Sequence, residues 1–128
     1  MSDARHQGLI GWAALLGLSA VAAGAFGAHG VSDPGPKAWL QTGGEYGMIH
    51  ALAAIAAVWV SRQGAPRASA AAWCFLIGGA LFSGSLYVLA LTQIRWPGAI
   101  TPLGGLLMLA GWSLLAWAGF SLKLDAKP

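Results

Sequence analysis

Eight polar side chains in this sequence carry groups that could act together: His29, Glu45, Tyr46, His50, Ser83, Ser85, Tyr87 and Thr101. Tyr46 and His50 are four residues apart, as are Ser83 and Tyr87, so on a helix each pair shares one face. Such a set could take a ligand, pass a proton or bind a metal. Two histidines and a glutamate suit zinc or copper, but no histidine pair at i and i+4 supports that reading. His29 and His50 could instead hold a haem from two different helices. Hydrolase chemistry has the least support, because no serine, histidine and acid stand at triad spacing beside an oxyanion-forming elbow. The plainer account is a satisfied network: Glu45 paired with His29 or His50, the Tyr87 hydroxyl donating, and Ser83 and Ser85 bonding back to carbonyls. Polar contacts of that kind are ordinary glue between membrane helices. That account favours no enzyme and no cofactor.

The elements that must position these groups follow from hydropathy. Of 128 residues, 57% are hydrophobic and 9% charged, against roughly 25% charged in a soluble domain. A soluble fold of this length could not hide so much apolar surface, whereas lipid accepts it. Covering about 30 Å of hydrocarbon takes about 20 apolar residues in a helix. The sequence predicts an all-α membrane protein, one domain of four transmembrane helices joined by short loops, with spans at about 9–28, 43–60, 68–91 and 103–122. The second span is short, and to cross it must recruit Gly43, Gly44 and Glu45, which places Glu45 at the hydrocarbon boundary. The net charge of +3 is small and scattered, which argues against nucleic acid as a partner. The single cysteine, Cys74, excludes an internal disulfide and reads as a buried small hydrophobe.

The connections agree with this partition. Ser32-Asp33-Pro34-Gly35-Pro36 is a turn-forming cluster with a proline suited to the next helix's first turn. Residues 62–67 make a short basic loop, and Trp96-Pro97-Gly98 breaks the chain before the last span. The first apolar run is longer than the 7–15 residues of a signal-peptide core, so it is read as retained. Counting Lys and Arg by side, Arg5, Arg62, Arg67, Lys123 and Lys127 oppose Lys37 and Arg95. The excess assigns both termini to the cytoplasm. The eight polar residues then fall toward the outer third of the membrane, with His50 about 7 Å deeper than Glu45. Six of the seven tryptophans sit near span ends, while Trp112 lies near mid-membrane, where its N–H needs a partner inside the bundle.

Lipid gives no hydrophobic drive for helix association, so small residues must let the helices meet. Ala13, Gly17, Ala20, Gly24 and Ala28 mark the first span, and Gly79 with Ser83 and Ala80 with Gly84 mark the third. Gly17, Gly24, Gly79, Gly84, Gly104 and Gly105 are the expected packing positions, within one bundle rather than at a dedicated dimer face.

Several of these residues lie in recognisable segments. Gly24-Ala25-Phe26-Gly27-Ala28-His29-Gly30, His50-Ala51-Leu52, Phe82-Ser83-Gly84-Ser85-Leu86-Tyr87 and Thr101-Pro102-Leu103-Gly104-Gly105, with Trp39, Tyr46 and Gly111-Trp112, are the clearest. Over residues 24–112 the chain resembles the YgdD-type small membrane proteins, domain-of-unknown-function family 423. The resemblance implies a four-helix protein of the bacterial inner membrane and no established reaction, substrate or cofactor. The Gly43-Gly44 pair departs from the family pattern and would loosen the start of the second helix. Three functional readings follow. The first is a structural or accessory protein, partnered by the lipid bilayer and self-associating or attached to a larger membrane complex. The second is a small proton-linked carrier using Glu45, His50 and Tyr87. The third is a haem or metal protein.

Overall fold

The computed structural model describes residues 3–122, so Lys123 and Lys127, counted above for orientation, lie outside it. Four helices run through it: α1 (Asp3–His29), α2 (Pro34–Arg62), α3 (Ala68–Thr92) and α4 (Thr101–Ser121), with a short 3-10 turn at Trp96–Ala99 before α4. All four are long and apolar enough to cross a membrane. The turns form where the sequence supplies breakers. Asp33 precedes Pro34 at the start of α2, Gly64 takes the positive φ of 98° that the α2–α3 loop needs, and Pro102 opens α4.

α2 is longer than the 43–60 span suggested. It begins at Pro34, nine residues before Gly43, and forms one continuous helix through Gly43 and Gly44. The glycine pair does not loosen it, because both residues are buried against neighbouring helices. Glu45 therefore lies about 16 Å along the helix from its start rather than at its opening.

α2 and α3 form a central antiparallel pair. α1 packs on α2 and touches α3; α4 packs on α3 and touches α2; α1 and α4 do not meet. The arrangement is an open bundle, and it leaves two lengthwise apolar grooves. One, of about 540 Å³, lies between α1 and α3 and is lined by Trp12, Leu16, Ile77 and Tyr87 among others. The other, of about 570 Å³, lies between α2 and α4 over Tyr46, His50, Phe82 and Trp112. The core between helices is built largely of alanine, with Leu9 and Phe75 its largest fully buried side chains.

Small residues bring the backbones together, and glycines of the two central helices dominate. A Cβ added at Gly44 would stand 2.8 Å from the Ala20 carbonyl oxygen of α1 and 3.2 Å from the Gly24 nitrogen. One added at Gly43 would stand 2.6 Å from the Tyr87 ring of α3, and one at Gly47 would stand 3.0 Å from Ser83 Oγ. Gly43 and Gly44 are successive residues turned about 100° apart, so one faces α3 and the other α1. Between α3 and α4, Gly78 and Gly104 oppose each other: a Cβ at Gly104 would lie 2.5 Å from the Phe82 nitrogen and 2.7 Å from the Gly78 oxygen. Of the remaining expected packing positions, Gly79 lies against Leu16 and His50, and Gly17 makes looser contact with Ala51 and Met48. Gly84 and Gly105 meet nothing within 4 Å, because they line the two open grooves.

Polar fasteners tie the helix ends. Lys37 Nζ donates to the carbonyls of Gly27 and Ala28 at 2.9 Å and of Val31 at 3.4 Å, so one ammonium caps the last turn of α1. At the opposite end of the bundle, buried His6 of α1 accepts at Nδ1 from Arg62 Nε at 3.3 Å and lies 3.5 Å from Ser61 Oγ. Arg67 sits 3.9 Å from the centre of the Trp117 ring, joining the start of α3 to the end of α4.

The α3–α4 contact leaves no room for a methyl group at Gly104, where the obstructing atoms are backbone. Gly104→Ala should lower stability in detergent by about 1–3 kcal/mol, while Gly105→Ala should leave the melting temperature nearly unchanged. Thermal unfolding of the two variants side by side tests the packing; equal effects would contradict it.

Candidate functional site

The interior polar groups form three separate bridges between helices. His50, on the buried face of α2, stands where its ring reaches two partners of fixed character. Nδ1–H donates to the Tyr46 carbonyl at 2.7 Å, one turn back on the same helix. Nε2 accepts from Trp112 Nε1–H of α4 at 3.0 Å. A backbone carbonyl only accepts and an indole N–H only donates, so this pairing describes a neutral imidazole with its proton on Nδ1. The ring is embedded among aromatics: its centre is 5.8 Å from that of Phe75 and 5.9 Å from that of Trp112, which itself meets Phe75 edge-on at 4.7 Å.

The second bridge joins α3 to α2. Ser83, fully buried, donates from Oγ to the Gly43 carbonyl at 2.6 Å. That approach is open only because residues 43 and 47 carry no side chain. The third joins α4 to α3. Ser85 Oγ donates to the Phe82 carbonyl at 2.9 Å and lies 2.6 Å from Thr101 Oγ1, so the threonine hydroxyl donates in turn to Ser85. Each bridge satisfies its own groups within about one helical turn.

Other members of the expected set stand apart. His29 and Glu45 are exposed, and among the described residues neither side chain has a hydrogen-bond or ion-pair partner. Glu45 turns outward because Gly44, the residue before it, takes the face against α1. The pairing of Glu45 with His29 or His50 does not form. Tyr46 is 41% exposed at the rim of the α2–α4 groove, its ring packed on Phe82 at 4.9 Å. The Tyr87 hydroxyl is buried beside Gly47, and among the described residues it has no hydrogen-bond partner. Among the described residues no three His, Cys, Asp or Glu side chains come close enough to hold a metal ion. For a haem, His50 offers no free ring nitrogen while both bonds stand.

Lys37 and His6 were not singled out by sequence reasoning, and both carry long-range hydrogen bonds. For Lys37 a signal existed: a lysine a few residues after a helix end can reach back to its carbonyls. For His6 there was none, since its partners are 55 and 56 residues away. The need of Trp112 for a partner was legible, and the partner is His50.

Fold and polar framework define a small four-helix integral membrane protein. The sequence profile described as "Protein of unknown function (DUF423)" matches residues 23–105. The chain is 44% identical over 111 residues to a UPF0382 membrane protein of Staphylococcus haemolyticus, covering 84% of this chain and 90% of that one. It is 42% identical to the UPF0382 membrane protein YwdK of Bacillus subtilis, with 82% and 89% covered. It is 40% identical to the UPF0382 inner membrane protein YgdD of Escherichia coli, with 88% of each covered. This chain belongs to that family. No solved structure matches it.

The His50–Trp112 hydrogen bond should be measurable as a coupling. His50→Leu and Trp112→Phe should each destabilise the protein, and the double variant should cost less than their sum by about 0.6–1.7 kcal/mol. A double-mutant cycle from unfolding in mixed detergent checks this; strict additivity would mean that the two rings do not interact.

Proposed function

We propose that this protein is a structural or accessory component of the bacterial inner membrane, acting by self-association or as a subunit of a larger membrane complex. The observation that carries the reading is the commitment of the interior polar groups other than Tyr87: both nitrogens of His50 are engaged within the chain, as are the hydroxyls of Ser83, Ser85 and Thr101. The bonds at His50 Nε2, Ser83 and Thr101 each join two helices, which is the work a structural role asks of them. The outward face of α4 is open to lipid or to a neighbouring subunit. α4 buries only Gly104, Met108, Gly111 and Ala118 along one stripe and turns Leu103, Leu106, Leu109 and Phe120 outward. The carrier reading has less support, because among the described residues Glu45, His50 and Tyr87 share no hydrogen-bonded path. The basic residues Arg5, Arg62 and Arg67 at one end favour cytoplasmic termini, and the relative named as an inner membrane protein supports that compartment.

Extraction from native membranes in mild detergent should yield a particle larger than one chain, by light scattering or native mass spectrometry. A strictly monomeric, partner-free particle would count against the proposal. For orientation, a fluorescent-protein fusion at the C-terminus should fluoresce and an alkaline phosphatase fusion at the same point should be inactive. The reverse pattern would invert the topology.

A further inference from the structure

At the end of the bundle that holds the α1–α2 loop, a pocket of about 170 Å³ lies between the start of α2 and the end of α3. Trp39, Leu89, Gln93 and Arg95 bound it. Its volume equals about six water molecules at roughly 30 Å³ each, which admits a phosphate-sized group and excludes a folded cofactor.

The chain is shaped to bring these four together. Gln93 ends α3 in the left-handed region, φ 58°, the one non-glycine residue with positive φ among those described. Its N–H donates to the Leu89 carbonyl at 2.8 Å, so the helix closes there and the chain turns off its axis. That turn sets Arg95 beside Trp39, five residues into the antiparallel α2.

The chemistry of the lining is weighted toward donors. An indole N–H and a guanidinium donate and cannot accept, and the Gln93 amide adds two donors beside its one acceptor oxygen. Among the described residues, none of these three side chains has a hydrogen-bond or ion-pair partner within the protein. Lys37, the other cation at this end, is already committed to three carbonyls of α1 and its loop, which leaves Arg95 as the charge of the pocket. Leu89 supplies an apolar wall. A cluster of unfilled donors with one fixed positive charge selects an acceptor-rich anion, and the guanidinium fork matches the oxygens of a phosphate. The pocket also lies at the ends of two membrane-crossing helices, at headgroup level.

We propose that this pocket binds the phosphate group of an anionic phospholipid headgroup, with Arg95 pairing its oxygens and Trp39 and Gln93 donating from either side. The test uses the full-length protein in an uncharged, phosphate-free detergent. The melting temperature is followed while short-chain phosphatidylglycerol, the matching diacylglycerol or inorganic phosphate is added. Phosphatidylglycerol should stabilise the protein saturably. Arg95→Gln, a change at an exposed side chain, should weaken the apparent affinity about tenfold or more, and Trp39→Phe, which keeps the ring and removes the N–H, severalfold. Native mass spectrometry should show retained phosphatidylglycerol falling in the same order. If inorganic phosphate stabilises equally well and loses its effect in Arg95→Gln, the phosphate site stands and the lipid source is overturned. If diacylglycerol matches phosphatidylglycerol, if Arg95→Gln responds like the parent, or if nothing shifts, the proposal is overturned.

Discussion

Close backbone approach at glycine is the constraint on which this molecule depends. In lipid the apolar side chains gain nothing by leaving the solvent, since acyl chains are as apolar as leucine. Helices must then be held by dispersion between closely fitted surfaces and by hydrogen bonds across them. Gly43, Gly44 and Gly47 on α2, and Gly78 and Gly104 between α3 and α4, place backbone atoms where a methyl group would collide. The hydrogen bonds depend on this approach: Ser83 reaches the Gly43 carbonyl at 2.6 Å only because α2 presents a bare backbone there.

The open arrangement follows from where those glycines lie. α2 carries them on two faces, toward α1 and toward α3, and α3 carries Gly78 toward α4. Each outer helix thus has a close-packed seat on the central pair, and α1 and α4 are left without contact with each other. The grooves that result are lined by bulky side chains such as Trp12, Ile77, Phe82 and Trp112. The same geometry explains why the interior polar groups form bridges rather than a cavity. Each bridge occupies a seam between two helices, and the His50–Trp112 bridge forms part of the wall of the α2–α4 groove.

Much of the architecture was legible in the residue order. The four spans, the prolines that open α2 and α4, and the unmet N–H of Trp112 could be read from hydropathy, from residues that break helices and from the cost of a bare donor in lipid. The extent of α2 could not. Residues 34–42 are too polar to register as a span, yet they are helical because Leu40 packs against Gly27 of α1 and Lys37 caps the end of that helix. The candidate site was legible in composition and less so in geometry. Residue type singled out His50, Ser83, Ser85 and Thr101, which are bonded in the structure, and equally Glu45 and His29, which face outward.

Hydropathy and charge along the chain determined by themselves that this protein crosses a membrane four times with few polar groups, because the cost of placing each residue type in lipid is a local property. Which glycine meets a backbone and which lines a groove, and whether Glu45 faces a histidine or the outer surface of the bundle, was decided only by the packing. A turn of about 100° per residue makes the outcome depend on the rotation of each helix about its own axis. That rotation is set by contacts between residues far apart in sequence, such as Ala20 with Gly44 and Gly78 with Gly104.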